Sequence, residues 1–128
     1  MESSPRSILL VDDEPAVRKS LQLVLERAGF DVLAVSDGRR AAEAIMSGRF
    51  DLVLTDLVMP EREGVETIIE LRRTHPNLPI IAMSGGGMGS ADLYLSVAAQ
   101  VGANATLLKP FGEAELLRVV RQALGIST

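Results

Sequence analysis

Four short apolar runs in this chain end on residues that carry charge or a hydroxyl. "ILLVDD" ends on Asp12-Asp13, "DLVLTD" on Asp56, "PIIAMS" on Ser84 and "ATLLK" on Lys109. If the runs are parallel strands of one sheet, these residues share the rim where open α/β sheets bind ligands, outside the carboxyl ends of the strands. Two carboxylates ~4 Å apart repel by about 4 kcal/mol at an effective dielectric near 20. Asp12, Asp13 and Asp56 therefore need a cation, or one of them must take a proton. Lys109 brings one positive charge and leaves the cluster negative. With oxygen donors and no His or Cys at hand, the set favours a hard ion. Mg²⁺ fits best, because it needs only a carboxylate or two and keeps waters for a substrate phosphate. Metal, ammonium and carboxylate together suit phosphoryl transfer, with the carboxylate as nucleophile. Asp56, at the end of a central run, is the candidate.

A glycine-rich stretch, "SGGGMGS" (residues 84–90), follows the run that ends on Ser84. Turns of this kind hold phosphates through converging backbone N–H groups. As a dinucleotide fingerprint it fails, since a G-x-G-x-x-G frame begun at Gly85 puts Ser90 at the third glycine. As a P-loop it fails for want of a following Gly-Lys-Ser/Thr. The surplus glycines suggest a loop that moves.

The elements that would position these residues follow from periodicity. Apolar runs at Ser7–Asp13, Asp31–Ser36, Asp51–Asp56, Leu78–Ser84 and Ala105–Pro110 read as strands. Their near-continuous Val, Ile and Leu indicate a sheet covered on both faces. Amphipathic segments alternate with them: "EPAVRKSLQLVLERAGF", "GRRAAEAIMSG" capped by Asp37, "VETIIELRRTH", "ADLYLSVAAQV" and "GEAELLRVVRQALG". Strict alternation of this kind gives parallel strands with right-handed crossovers. The second strand ends only in "SDG", a cap. Arg72-Arg73 reads as a solvated helix end, Glu14 as first-turn helix charge, and His75, the one histidine, as a solvated loop residue.

Composition narrows the function classes. The chain has 128 residues, enough for one domain with a true core. Apolar residues are 47% but aromatics only 3%, so the core must be aliphatic. Without cysteine there are no disulfides or thiolate sites. A net charge of −4 and no basic run beyond two residues argue against direct nucleic-acid binding. No apolar run could span a bilayer, and "MESSPRS" is unlike a signal peptide, so the expectation is a cytoplasmic domain with no membrane contact.

"ILLVDDEPAVR", "DLVLTDLVMPEREG", "PIIAMSG" and "GANATLLKPF", in this order, resemble the receiver domain of two-component response regulators, and the likeness covers essentially the whole chain. It implies a flavodoxin-like doubly wound five-stranded parallel sheet, order 2-1-3-4-5, with five flanking helices. Residues 1–6 would be a tail and 7–125 the receiver, with no output domain visible. The resemblance makes Asp56 the phosphoacceptor. It makes Asp13, Asp56 and the Val58 backbone carbonyl direct Mg²⁺ ligands, with Asp12 acting through water. Lys109 and Ser84 would contact phosphoryl oxygens, helped by the Gly85 and Leu57 backbone N–H groups, and Lys109-Pro110 would be a cis peptide. The phosphoryl donor would be a sensor histidine kinase or a histidine phosphotransfer protein. The signal would pass to a downstream protein or a covalently linked output domain. A weak homodimer through the last helices is compatible with the likeness but unsupported by any residue.

Two departures stand out. Many receivers carry a Tyr or Phe three residues before the lysine, where this chain has Thr106, so an aromatic switch is absent. Val58 and Gly86, two beyond the acceptor and two beyond the hydroxyl, cannot hold an attacking water with their side chains, which predicts a phosphoryl group longer-lived than in a Val58→Asn variant. Two other classes stay open at this point. One is a receiver-like interaction domain that works unphosphorylated. The other is a phosphohydrolase with an aspartyl nucleophile, though Val58 stands where such enzymes usually place an acid/base Asp.

Overall fold

The structure, a computed structural model, describes residues 5–57, 63–85 and 91–126. Five strands alternate with five helices: β1 (Ser7–Val11), α1 (Pro15–Arg27), β2 (Asp31–Val35), α2 (Gly38–Ser47), β3 (Leu52–Asp56), α3 (Glu63–Thr74), β4 (Ile80–Ser84), α4 (Ala91–Val101), β5 (Ala105–Leu108) and α5 (Glu113–Leu124). All four strand pairs are parallel, in the order β2-β1-β3-β4-β5. The expected doubly wound architecture is the one observed.

Both faces of the sheet are covered, which explains the uninterrupted apolar runs. Ile8, Leu10, Leu52, Leu54, Ile81, Met83 and Leu107 pack on one side with Leu21 and Leu25 of α1 and Leu116, Val119 and Val120 of α5. On the other side Leu9, Val11, Val53, Ile80 and Ala82 meet Ala41 and Ile45 of α2, Ile68 and Leu71 of α3, and Ala98 of α4. Alternate residues of each strand thus serve opposite layers, the period-two rule of a pleated strand.

The regular strands are shorter than the apolar runs predict. Pro79 has no N–H to donate, so β4 begins at Ile80, although the Pro79 carbonyl still accepts from Val53 N at 2.9 Å. At the other ends, Asp12 and Lys109 lie one residue past their strands. Each keeps a single backbone bond, Asp12 N to Val35 O at 3.1 Å and Lys109 N to Ser84 O at 2.8 Å.

Local chemistry closes the helices. Pro15 opens α1, and Gly29 follows it with φ of 100°, a conformation that L side chains rarely adopt. The Asp37 carboxylate caps α2 by accepting from Arg40 N at 2.8 Å. Replacing Asp37 with Ala should lower the unfolding free energy by about 1 kcal/mol. Equilibrium urea denaturation of parent and variant measures it, and an unchanged midpoint would refute the cap's contribution.

Candidate functional site

The register of the central strands brings the acids together. Val11 of β1 lies beside Thr55 of β3, so the next residues, Asp12 and Asp56, emerge as neighbours. Both are buried, at 0% and 2% exposure, whereas Asp13 is exposed. One carboxylate oxygen from each of Asp12, Asp13 and Asp56 lies within 4.8 Å of the others. Lys109 reaches them from beyond β5, two strand spacings from β3, or roughly 10 Å. A long stem is needed for that reach. Its Nζ donates to Asp12 Oδ2 at 3.1 Å and to Asp56 Oδ2 at 3.0 Å.

Ser84 ends β4, between the acids and the lysine strand. Its hydroxyl is buried and, among the described residues, has no hydrogen-bond partner. Burying a hydroxyl without a partner costs free energy, which sets this atom apart from the other buried polar groups of the rim. Gly85 lies against the lysine backbone, where a Cβ would stand 2.9 Å from the Lys109 carbonyl oxygen. Lys109-Pro110 is cis, as the resemblance implies. The Leu57 N–H, expected to serve a phosphoryl oxygen, donates to Met83 O at 2.8 Å in this structure, because the β3–β4 ladder runs one residue past the end of β3. Thr106 is exposed on the edge strand β5. Val58 and Gly86, along with the Tyr94 side chain, lie outside the described residues.

Two supporting contacts escaped the sequence reading. Glu14 N donates to Asp12 Oδ1 at 2.9 Å, and Arg18 on α1 donates to the Asp12 carbonyl at 2.8 Å. Every polar atom of Asp12 is therefore engaged. The one available clue was the position of Arg18, a cation in the first half of a helix, where the macrodipole disfavours it. A groove of 490 Å³ between α2 and α3, lined by Ala42, Met46, Glu66 and Glu70 among others, lies away from these acids.

Charge sets the chemistry of the rim. Burial would lower the Lys109 pKa, but the carboxylates of Asp56 and then Asp12 outweigh it and hold the ammonium above its ordinary value of 10.5. A raised folded-state pKa contributes stability that is complete below the unfolded value and is lost as pH rises through the folded one. Stability should thus fall more steeply above pH 10.5 in the parent than in Lys109→Met. Urea midpoints taken across that alkaline range test this, and parallel curves would refute it. Three carboxylates against one ammonium still favour a cation, and an all-oxygen donor set suits a hard divalent ion such as Mg²⁺.

Residues 8–121 match the family described as the response regulator receiver domain. The chain belongs to that family. It is a receiver domain of two-component response regulators, a signalling domain. It is 37% identical over 117 residues to the transcriptional regulatory protein CpxR of Klebsiella pneumoniae, covering 91% of this chain and 48% of that protein. To the response regulator MprA of Mycolicibacterium vanbaalenii it is 38% identical over 124 residues, covering 97% and 52%. The receiver thus spans about half the length of these curated relatives. Among solved structures, the response regulator TrrA of Thermotoga maritima, in complex with Mg²⁺ and BeF, superposes with a TM-score of 0.81 at 29% identity, covering 92% of this chain and 98% of that one. The receiver domain of the sensor histidine kinase PA1611 of Pseudomonas aeruginosa gives 0.83 at 30% identity, covering 94% and 98%, and holds a magnesium ion in its active-site cleft. In this receiver, no helix among the described residues is long and apolar enough to cross a membrane.

Proposed function

We propose that Asp56 accepts a phosphoryl group from a phosphohistidine of a sensor histidine kinase or a histidine phosphotransfer protein, in the cytoplasm. An Asp56 carboxylate oxygen attacks phosphorus, the P–N bond to the donor imidazole breaks, and an acyl phosphate forms while the imidazole leaves with the electron pair. Asp12, Asp13 and Asp56 would hold Mg²⁺, with the Val58 carbonyl as a further ligand, and the ion would offset charge on the transferring oxygens. Lys109, already paired with the Asp56 carboxylate, exchanges that bond for one to a phosphoryl oxygen. The Ser84 hydroxyl takes a second oxygen, and the Gly85 N–H adjoins it. Arg18 and the Glu14 N–H keep Asp12 in place.

The observation that carries this reading is the Lys109 Nζ bridging Asp12 and Asp56 at 3.1 and 3.0 Å, together with a buried Ser84 hydroxyl that has no partner among the described residues. An ammonium committed to two carboxylates and a hydroxyl with no partner among the described residues make a site that gains contacts when phosphate arrives. Ser84 and Lys109 end β4 and begin the segment after β5, so their new bonds bias the surface of α4, β5 and α5. That surface passes the signal to a downstream protein or a linked output domain. With Thr106 exposed and no aromatic ring at that position, the readout rests on backbone and helix movement.

Incubation with acetyl phosphate and Mg²⁺, followed by intact-mass measurement, should show the gain of one phosphoryl group. Beryllofluoride with Mg²⁺ should raise the Tm. No mass gain and no Tm response would leave a receiver that works unphosphorylated.

A further inference from the structure

Arg72, expected to be a solvated helix end together with Arg73, is something else. Its guanidinium fastens two segments, residues 75–76 and 102–104, to the last turn of α3. Nε and Nη2 donate to the Gly102 carbonyl at 3.2 and 2.8 Å, Nη2 also donates to Asn104 Oδ1 at 2.8 Å, and Nη1 donates to the carbonyls of His75 and Pro76 at 3.2 and 2.8 Å. Every one of these acceptors is neutral. Arg73, its neighbour, is exposed.

The far side of this clamp is equally specific. Asn104 N donates to Ile80 O at 2.7 Å, and Asn104 Oδ1 accepts from Ile80 N at 2.8 Å, so one residue closes the start of β4 against β5 and also receives Arg72. Gly102 has a φ of 129°, and a Cβ there would stand 3.0 Å from Arg72 Cγ. The corner between α4 and β5 is thus shaped to let the arginine in. Among the described side chains of α4 only Ala98 is fully buried, with Leu95 and Val101 partly buried against the same core. An element with so few buried contacts opens easily unless it is tied.

We propose that Arg72 pins the C-terminal end of α4, so that phosphorylation turns the helix about Gly102 and does not slide it along the sheet. The pin stands at the end of β4 opposite Ser84, which leaves the N-terminal end of α4 free to follow the phosphoryl contact. This rests on the phosphoacceptor reading above.

Amide hydrogen exchange at Ala103 and Asn104, read with and without Mg²⁺ and beryllofluoride, tests it. In the parent and in Arg73→Ala these amides should exchange at the same rate in both states. In Arg72→Ala they should exchange faster, by roughly tenfold more with beryllofluoride than without, because the untied corner now moves with the helix. Arg72→Lys keeps the stem and charge but has a single donor group that cannot bridge these acceptors, so it should show the same state dependence with less loss of stability. Equal acceleration in both states would reduce Arg72 to a structural staple and overturn the inference, as would unchanged exchange or a state-dependent corner in the parent. A parent whose Tm ignores Mg²⁺ and beryllofluoride would overturn the phosphoacceptor reading as well. A normal Tm response with state-independent exchange in both Arg72 variants overturns the pin alone.

Discussion

Asp56→Asn should gain no phosphoryl group from acetyl phosphate under conditions expected to modify the parent fully. The amide is nearly isosteric with the carboxylate, so packing under the 2%-exposed side chain survives. Its oxygen can still accept from Lys109 Nζ, now 3.0 Å from Asp56 Oδ2. What disappears is an anionic oxygen able to form a bond to phosphorus, and the other two acids of the described cluster are poorly placed to replace it. Asp12 is buried with one carboxylate oxygen on Glu14 N and the other on Lys109, and Asp13 is exposed to water. The effect on phosphorylation should therefore be complete, while the urea midpoint stays near that of the parent. Intact mass and chemical denaturation on the same sample give both answers. Full mass gain in the variant would move the acceptor elsewhere and break the proposed mechanism.

The second large effect concerns the lysine. Lys109→Met keeps an apolar stem of similar reach and deletes the charge, so Asp12 and Asp56 lose the only ammonium bonded to them among the described residues. Removing one partner from a buried ion pair leaves uncompensated charge and costs about 3 kcal/mol. In chelator the variant should lose stability on that order. Adding Mg²⁺ should then restore more stability to the variant than it gives the parent, because the metal no longer shares the carboxylates with a cation. Stabilisation by a ligand that binds only the folded state follows its concentration relative to Kd, so the midpoint shift reads the affinity directly. Yet the variant should respond less than the parent to beryllofluoride, having lost the ammonium that would meet the phosphoryl oxygens. A common loss of both responses would show Lys109 to be a structural support alone.

These two substitutions separate functions that share one rim. In the proposed mechanism Asp56 would carry the bond-forming step, while Lys109 balances the charge of Asp12 and Asp56 before it and would meet the phosphoryl group after it. Ser84 sits outside the balance, since its hydroxyl is uncharged and has no hydrogen-bond partner among the described residues. The alkaline limb of stability follows from the same Lys109 contacts. It is therefore an independent check on the geometry that needs no phosphoryl donor.

Much of this protein was legible in the order of its residues. Alternating runs of "SILLV", "DVLAV", "LVLTD", "IIAMS" and "ATLL" with amphipathic helices dictate a parallel sheet buried on both faces, because uninterrupted apolar strands must be covered twice. Pro15, Gly29 and Asp37 mark helix ends through constraints local to each residue. Placing Asp12, Asp13, Asp56, Ser84 and Lys109 on one rim needed only that the strands run parallel. What the residue order left open were contacts between segments distant along the chain. Lys109 bonds Asp12 across 97 residues, a distance closed only by the strand order β1-β3-β4-β5. Arg18 on the Asp12 carbonyl and Leu57 N on Met83 O depend on how a helix and a neighbouring strand dock. Arg72 looked like its neighbour Arg73, yet one is clamped to Gly102 and Asn104, 30 and 32 residues away, while the other faces water. Periodicity records which face of an element is buried. It carries no information about which polar groups the packed faces bring within hydrogen-bond reach, and tertiary structure alone decided those.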